Sequence, residues 1–159
     1  MQSFDNYLFV MNFKKFFITL TIIVSLTINL VISPPAIALG SSPLSGLITL
    51  KELAKNATPY EEAVKNGKPT LLEFYADWCT TCQGMAGTIE ELEETYGDRV
   101  NLVMLNIDDP QWDDLAQQYR VTGIPQYNFL DANEHKVESF IGKIPQRILA
   151  QTFEELVGG

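Results

Sequence analysis

The sequence predicts an α/β fold, a three-layer sandwich in which a mixed central sheet is flanked by helices. Three observations carry that prediction. Two apolar runs, Thr70 to Ala76 and Val100 to Ile107, are separated by a stretch with helical patterning, as parallel strands joined by a crossover helix require. A hairpin pattern follows, with Gln126 to Leu130 and Lys136 to Ile141 on either side of Asp131-Ala132-Asn133-Glu134. Pro145 to Val157 then closes the chain with a helix whose apolar stripe includes Ile148, Leu149, Phe153 and Leu156.

Taken from the N-terminus, Lys14 and Lys15 precede a run from Phe16 to Ile32 that only Thr19, Thr21, Ser25, Thr27 and Asn29 interrupt. Pro34, Pro35 and the triplet Ala36-Ile37-Ala38 follow. A basic n-region, an apolar h-region and a small-x-small triplet read as an export segment, so residues 1–38 are expected to be an export signal or a membrane anchor. Met11 offers an alternative start with a better n-region. As a helix the 17-residue run spans about 25 Å, between a cleaved h-region and a ~30 Å bilayer core. Length therefore leaves retention and cleavage after Ala38 both open. In either case Lys14 and Lys15 are expected to stay cytoplasmic and everything after residue 38 to cross.

Ser33 to Gly46, rich in Pro, Ser and Gly, reads as a linker, which as a flexible tether would reach roughly 20 Å. Residues 39–54 lead into a domain over 55–159, with a short edge strand around Leu47 to Leu50. Thr58-Pro59-Tyr60-Glu61 has the form of a capping box, with Thr58 as N-cap and Pro59 in the first turn, and Gly67 stops that helix. Thr70 to Ala76 is a strand with Glu73 at its centre. Thr80 to Tyr96 is a helix ended by Gly97. Val100 to Ile107, broken only by Asn101 and Asn106, suits a strand covered on both faces. Gln111 to Tyr119 is a short helix.

The net charge is −9, and Asp5, Lys14 and Lys15 are the charged residues of the first 38, so residues 39–159 carry −10. No basic patch is visible, and nucleic acid is not an expected partner. The acidic surface serves solubility and suits basic clients.

The chemistry centres on Cys79 and Cys82, the two cysteines of the chain, placed where a strand hands over to a helix. A sulfur at a helix N-terminus faces unpaired N–H groups and the positive end of the dipole, which stabilises a thiolate by roughly 0.3–1 kcal/mol. The thiolate is the attacking species in disulfide exchange, so Cys79 suits a nucleophile and Cys82, one turn deeper, a resolving thiol. Two other readings compete. Zinc needs four ligands, and beyond this pair the chain offers only His135, in a polar turn. A permanent disulfide between such near neighbours closes too small a loop to stabilise much. No metal and no cofactor are therefore expected.

Glu73 lies six residues before Cys79 and shares a strand face with Leu71 and Tyr75, while Leu72, Phe74 and Ala76 take the other. In a central strand its carboxyl is desolvated and its pKa rises towards neutrality, so that it can accept and return protons. At a sheet edge it is an ordinary solvated acid. Trp78 and Tyr75 either shield the sulfurs or fill the core. Pro125, after Gly123-Ile124 and just before a strand, reads as a turn.

Leu72-Glu73-Phe74-Tyr75-Ala76-Asp77-Trp78-Cys79, with Cys82, resembles the thioredoxin active-site block. Val103 to Asp108 resembles that family's central strand and Gly123-Ile124-Pro125 its cis-proline loop. Gly142 followed by a helix matches the end of the fold, so the resemblance runs from about residue 55 to 157. Within the superfamily the chain is most similar to the thylakoid-type, membrane-anchored thioredoxin-like thiol:disulfide interchange proteins of cyanobacteria and plastids. The resemblance implies a thioredoxin fold, Cys79 as nucleophile, Cys82 as resolver and Glu73 in the place of the buried acid, usually Asp. It implies a cis Pro125 facing the disulfide, and a client segment docked by β-augmentation on the Ile124 backbone beside Trp78.

Three departures bear on this. Thr80-Thr81 separate the cysteines, in place of the Gly-Pro of reducing members or the Pro-His of strong oxidants, which leaves redox direction open. Met104 stands where a lysine commonly accompanies the acid, so Glu73 loses a stabiliser of its ionised form. Gly87 replaces the proline that kinks the active-site helix. The expected function is an extracytoplasmic thiol–disulfide oxidoreductase in the thylakoid lumen or periplasm, held by residues 16–32. Its expected partners are disulfide-bearing clients and a membrane thiol-relay donor, with cytochrome maturation as a client process. The competing reading is a non-catalytic peptide-binding or chaperone module that keeps the fold and uses the Pro125 groove.

Overall fold

In a computed structural model of the protein the described residues are 43–158; the export segment and most of the expected linker lie outside them. The elements are α1 (Pro43–Asn56), α2 (Tyr60–Ala63), β1 (Thr70–Tyr75), α3 (Thr80–Tyr96) and β2 (Asn101–Asn106). A 3-10 turn (Pro110–Trp112) runs into α4 (Asp113–Gln118), followed by β3 (Gln126–Leu130), β4 (Lys136–Ile141) and α5 (Gln146–Gly158). Among the described residues no helix is long and apolar enough to cross a membrane.

The sheet order is β2-β1-β3-β4. β1 and β2 are parallel, joined by α3, and the other two pairings are antiparallel. β1 lies between two strands and all six of its residues are buried, which explains why it is apolar apart from Thr70 and Glu73. Alternation splits them: Leu71 and Tyr75 join the cluster under α1, α3 and α5, with Leu50, Ile89 and Leu149. Leu72 and Phe74 join a smaller cluster with Ala63, Val103 and Leu105, covered by Trp112 and Leu115. Ala76 falls in the first cluster rather than the second, because the strand ends at Tyr75 and alternation ends with it. Phe153 of α5 stacks on Tyr96 at 4.9 Å and meets Phe129 edge-on at 5.3 Å, tying α5 to both α3 and the sheet.

Three expectations are corrected. Pro43 to Gly46 is not linker and Leu47 to Leu50 is not a strand; both belong to α1. Gly46, Leu50 and Leu53 are its buried face, at i, i+4 and i+7. Thr58 is not an N-cap: α2 is a single turn with Pro59 at its cap position and no side-chain cap bond, and the Thr58 N–H is donated to Leu102 O at 2.8 Å. β2 is covered on both faces, but it is the outer strand rather than a central one, because α1 occupies the stretch of chain that was expected to extend the edge.

Candidate redox-active site

Cys79 takes the N-cap position of α3, with extended backbone angles, and its Sγ accepts the backbone N–H of Cys82 at 3.0 Å. Ser, Thr, Asp and Asn usually supply this cap; here sulfur does, and it sits where the free N–H groups of the first turn converge. Cys79 and Cys82 are joined as a disulfide. Cys79 is 5% exposed and Cys82 fully enclosed, so any partner reaches the first sulfur before the second.

Glu73 is 1% exposed at the middle of β1. Its register partners are Met104 on β2 and Tyr127 on β3. Burial pushes its carboxyl from the ordinary 4.5 up to about 8, since desolvation penalises the charged form. No buried cation offsets this, Glu73 being the one charged side chain among the buried described residues. A carboxyl so placed can give and take a proton near neutral pH.

The Ile124–Pro125 bond is cis, as the resemblance implies. Pro125 is buried, its carbonyl accepts the Gly142 N–H at 2.8 Å, and Ile124 packs against the cluster that contains both cysteines. Gly142 adopts φ +84°, a conformation glycine reaches freely, which lets the chain turn out of β4 beside the proline. Trp78 is 63% exposed, so it is not core filling; its indole N–H is donated to Asp108 Oδ2 at 2.9 Å. Tyr75, by contrast, is buried with the cysteines. Gly87 is exposed, and α3 runs through it without a break.

Four contributors escape the sequence motif. Asp108 fixes Trp78 from the loop after β2. Gln83 donates its side-chain amide to Asp77 O at 2.7 Å, bracing the approach to Cys79. Lys51 of α1 pairs with Asp77 at 3.0 Å, on the surface. Tyr127 faces Glu73 across the sheet. Asp108, Lys51 and Tyr127 come from elements distant in sequence, so no local pattern reports them, and Gln83, six residues from Asp77, carries no letter that marks its role. His135 stays in its exposed turn, its backbone N–H donated to Asp131 Oδ1 at 2.9 Å.

The family model for Thioredoxin matches residues 51–155. The thiol:disulfide interchange protein TxlA of Synechococcus elongatus is 46% identical over 121 residues, covering 76% of this chain and 63% of its own. The chloroplastic thioredoxin-like protein HCF164 of Oryza sativa subsp. japonica is 44% identical over 114 residues, covering 72% and 44%. A TxlA homolog of Synechocystis is 42% identical over 135 residues, covering 81% and 75%. The chain thus spans less than two thirds of the length of the first two of these relatives. A mutant thioredoxin from Halobacterium salinarum superposes with a TM-score of 0.55 at 26% identity, over 64% of this chain and 88% of that one.

Proposed function

The chain belongs to the thioredoxin family, and on that premise we propose that it is a thiol–disulfide oxidoreductase exchanging disulfides with client proteins outside the cytoplasm. The observation that carries the reading is the Cys79 sulfur, capping α3 and bonded to the more enclosed Cys82. In the reduced pair, the Cys82 N–H and the positive helix end favour the Cys79 thiolate. That thiolate attacks a client disulfide; a Cys79–client bond forms and the other client sulfur leaves as a thiolate. Cys82 then passes its proton to the Glu73 carboxylate, and its sulfur attacks Cys79. The client's second sulfur departs, the client gains two electrons, and the Cys79–Cys82 bond is restored. Run backwards, the same steps oxidise a client.

Ile124 and Pro125 would hold the client as an added strand, with Trp78 at the rim. Residues 1–38 are proposed as the export segment, with 16–32 retained as an anchor and the described domain in the thylakoid lumen or periplasm. A membrane thiol donor would return electrons there, and cytochrome maturation is the client process the family resemblance favours. The assignment of roles is tested by trapping: Cys82→Ser accumulates client mixed disulfides and Cys79→Ser accumulates none. Equal trapping by both variants refutes it.

A further inference from the structure

Two buried oxygens lie unpartnered on facing residues of neighbouring strands. Glu73 of β1 pairs in register with Tyr127 of β3, so both side chains leave the same face of the sheet. Glu73 Oε2 and the Tyr127 hydroxyl each lack a hydrogen-bond partner, although buried polar atoms are almost always satisfied. Gln126 Oε1 shares that state, but as the preceding residue it faces the other way and its amide is donated to Tyr119 O.

The surroundings of Glu73 leave few alternatives. β2 offers Met104, with neither charge nor donor. β1 itself offers Tyr75, and α3 the two cysteines; α1 and α5 bring Leu50, Leu53, Leu149 and Phe153 to the same cluster. Tyr75 and Tyr127 are the ionisable groups that feel the Glu73 charge, and the cysteines belong to the cluster that Tyr75 joins.

We propose that Tyr127 is a positioning residue for the proton transfer at Glu73: its hydroxyl donates a hydrogen bond to the ionised carboxylate and holds it ready for the Cys82 proton. The inference rests on the reading of Glu73 as the base. The terminal torsion of Glu73 is soft, so its carboxylate can turn on the face of the sheet that it shares with the phenol. Burial pushes the Tyr127 hydroxyl up, so it stays a donor at any working pH. When Cys82 gives up its proton, an O–H bond forms on Glu73 as the S–H bond breaks, and Tyr127 keeps its own proton throughout. The phenol so supplies part of what a cation at position 104 would give, without a second buried charge.

Tyr127→Phe removes the hydroxyl and keeps the ring. In the oxidised protein, NMR titration of the carbon-labelled Glu73 carboxyl is expected to show its pKa raised by about 0.5 or more. The midpoint of the pH profile for resolving a Cys79–thionitrobenzoate mixed disulfide moves up with it. Adding Met104→Lys brings both back down. An unchanged or lowered Glu73 pKa in folded Tyr127→Phe overturns the proposal. Should that variant not fold, the unmodified protein decides. There the Tyr127 ring-carbon resonance beside the hydroxyl must follow the Glu73 titration and lose the response in Glu73→Gln. A Tyr127 signal blind to that titration overturns the proposal while leaving Glu73 as base. A Glu73 carboxyl with no titration above about pH 6 removes the base reading and the proposal together.

Discussion

Glu73 binds its proton more tightly in the folded protein than in the unfolded chain, about 8 against 4.5. The unfolded chain releases that proton as pH rises through 4.5, the folded one only near 8. Stability therefore falls across that window and levels off above it. Glu73→Gln is neutral at every pH and removes the dependence. Its advantage over the natural protein is expected to be larger at pH 9 than near pH 4 by roughly 2–5 kcal/mol, any cost of an unpaired buried amide being the same at both. Urea unfolding at the two pH values measures this, and a difference that does not vary with pH contradicts a raised pKa. The residue was legible because an acid inside an apolar strand is rare, and so were the cysteines, from spacing and place. Trp78 was ambiguous, since an indole suits a core or a rim, and its exposure and its bond to Asp108 decide. Tyr127 was illegible as a partner of Glu73, because β3 pairs with β1 across more than 50 residues of chain.

At the scale of elements, the strands and the long helices follow from period alone, since each buries one stripe or two faces. α1 does not. Its Pro, Ser and Gly carry the composition of a linker, and its Gly46 is a packing residue rather than a flexible one. A Cβ there would lie 2.5 Å from the Gln83 carbonyl oxygen, so α1 rests directly on the backbone of the first turns of α3. Gly46→Ala must push the helices apart and is expected to cost about 1–3 kcal/mol. Amide exchange at residues 82–84 should quicken with it. Wild-type stability and protection in that variant contradict the contact. The hairpin was read correctly for a local reason: Asp131 accepts the N–H groups of Asn133 and His135, closing the turn within five residues. α2 misled because Thr58-Pro59 has the letters of a cap, whereas the Thr58 N–H is committed to the strand at Leu102.

On the scale of the molecule, residues 43–158 carry a net charge of −10, and of their charged side chains Glu73 alone is buried. That division separates solubility from chemistry. Residues 16–32 bear on where the chemistry occurs. Protease added to the cytoplasmic face is expected to leave residues 43–158 intact, and N-terminal sequencing of the mature protein to find residues before 33. A mature start at Leu39 means a free exported domain and ends the anchoring proposal. The central claim is that the Cys79–Cys82 pair turns over rather than merely sits in a peptide-binding fold. Insulin reduction with dithiothreitol as electron donor tests it most directly. Insulin should precipitate many times faster with the protein than with dithiothreitol alone, with the acceleration lost in Cys79→Ser. Insulin bound without accelerated reduction, or equal turnover by Cys79→Ser, contradicts it.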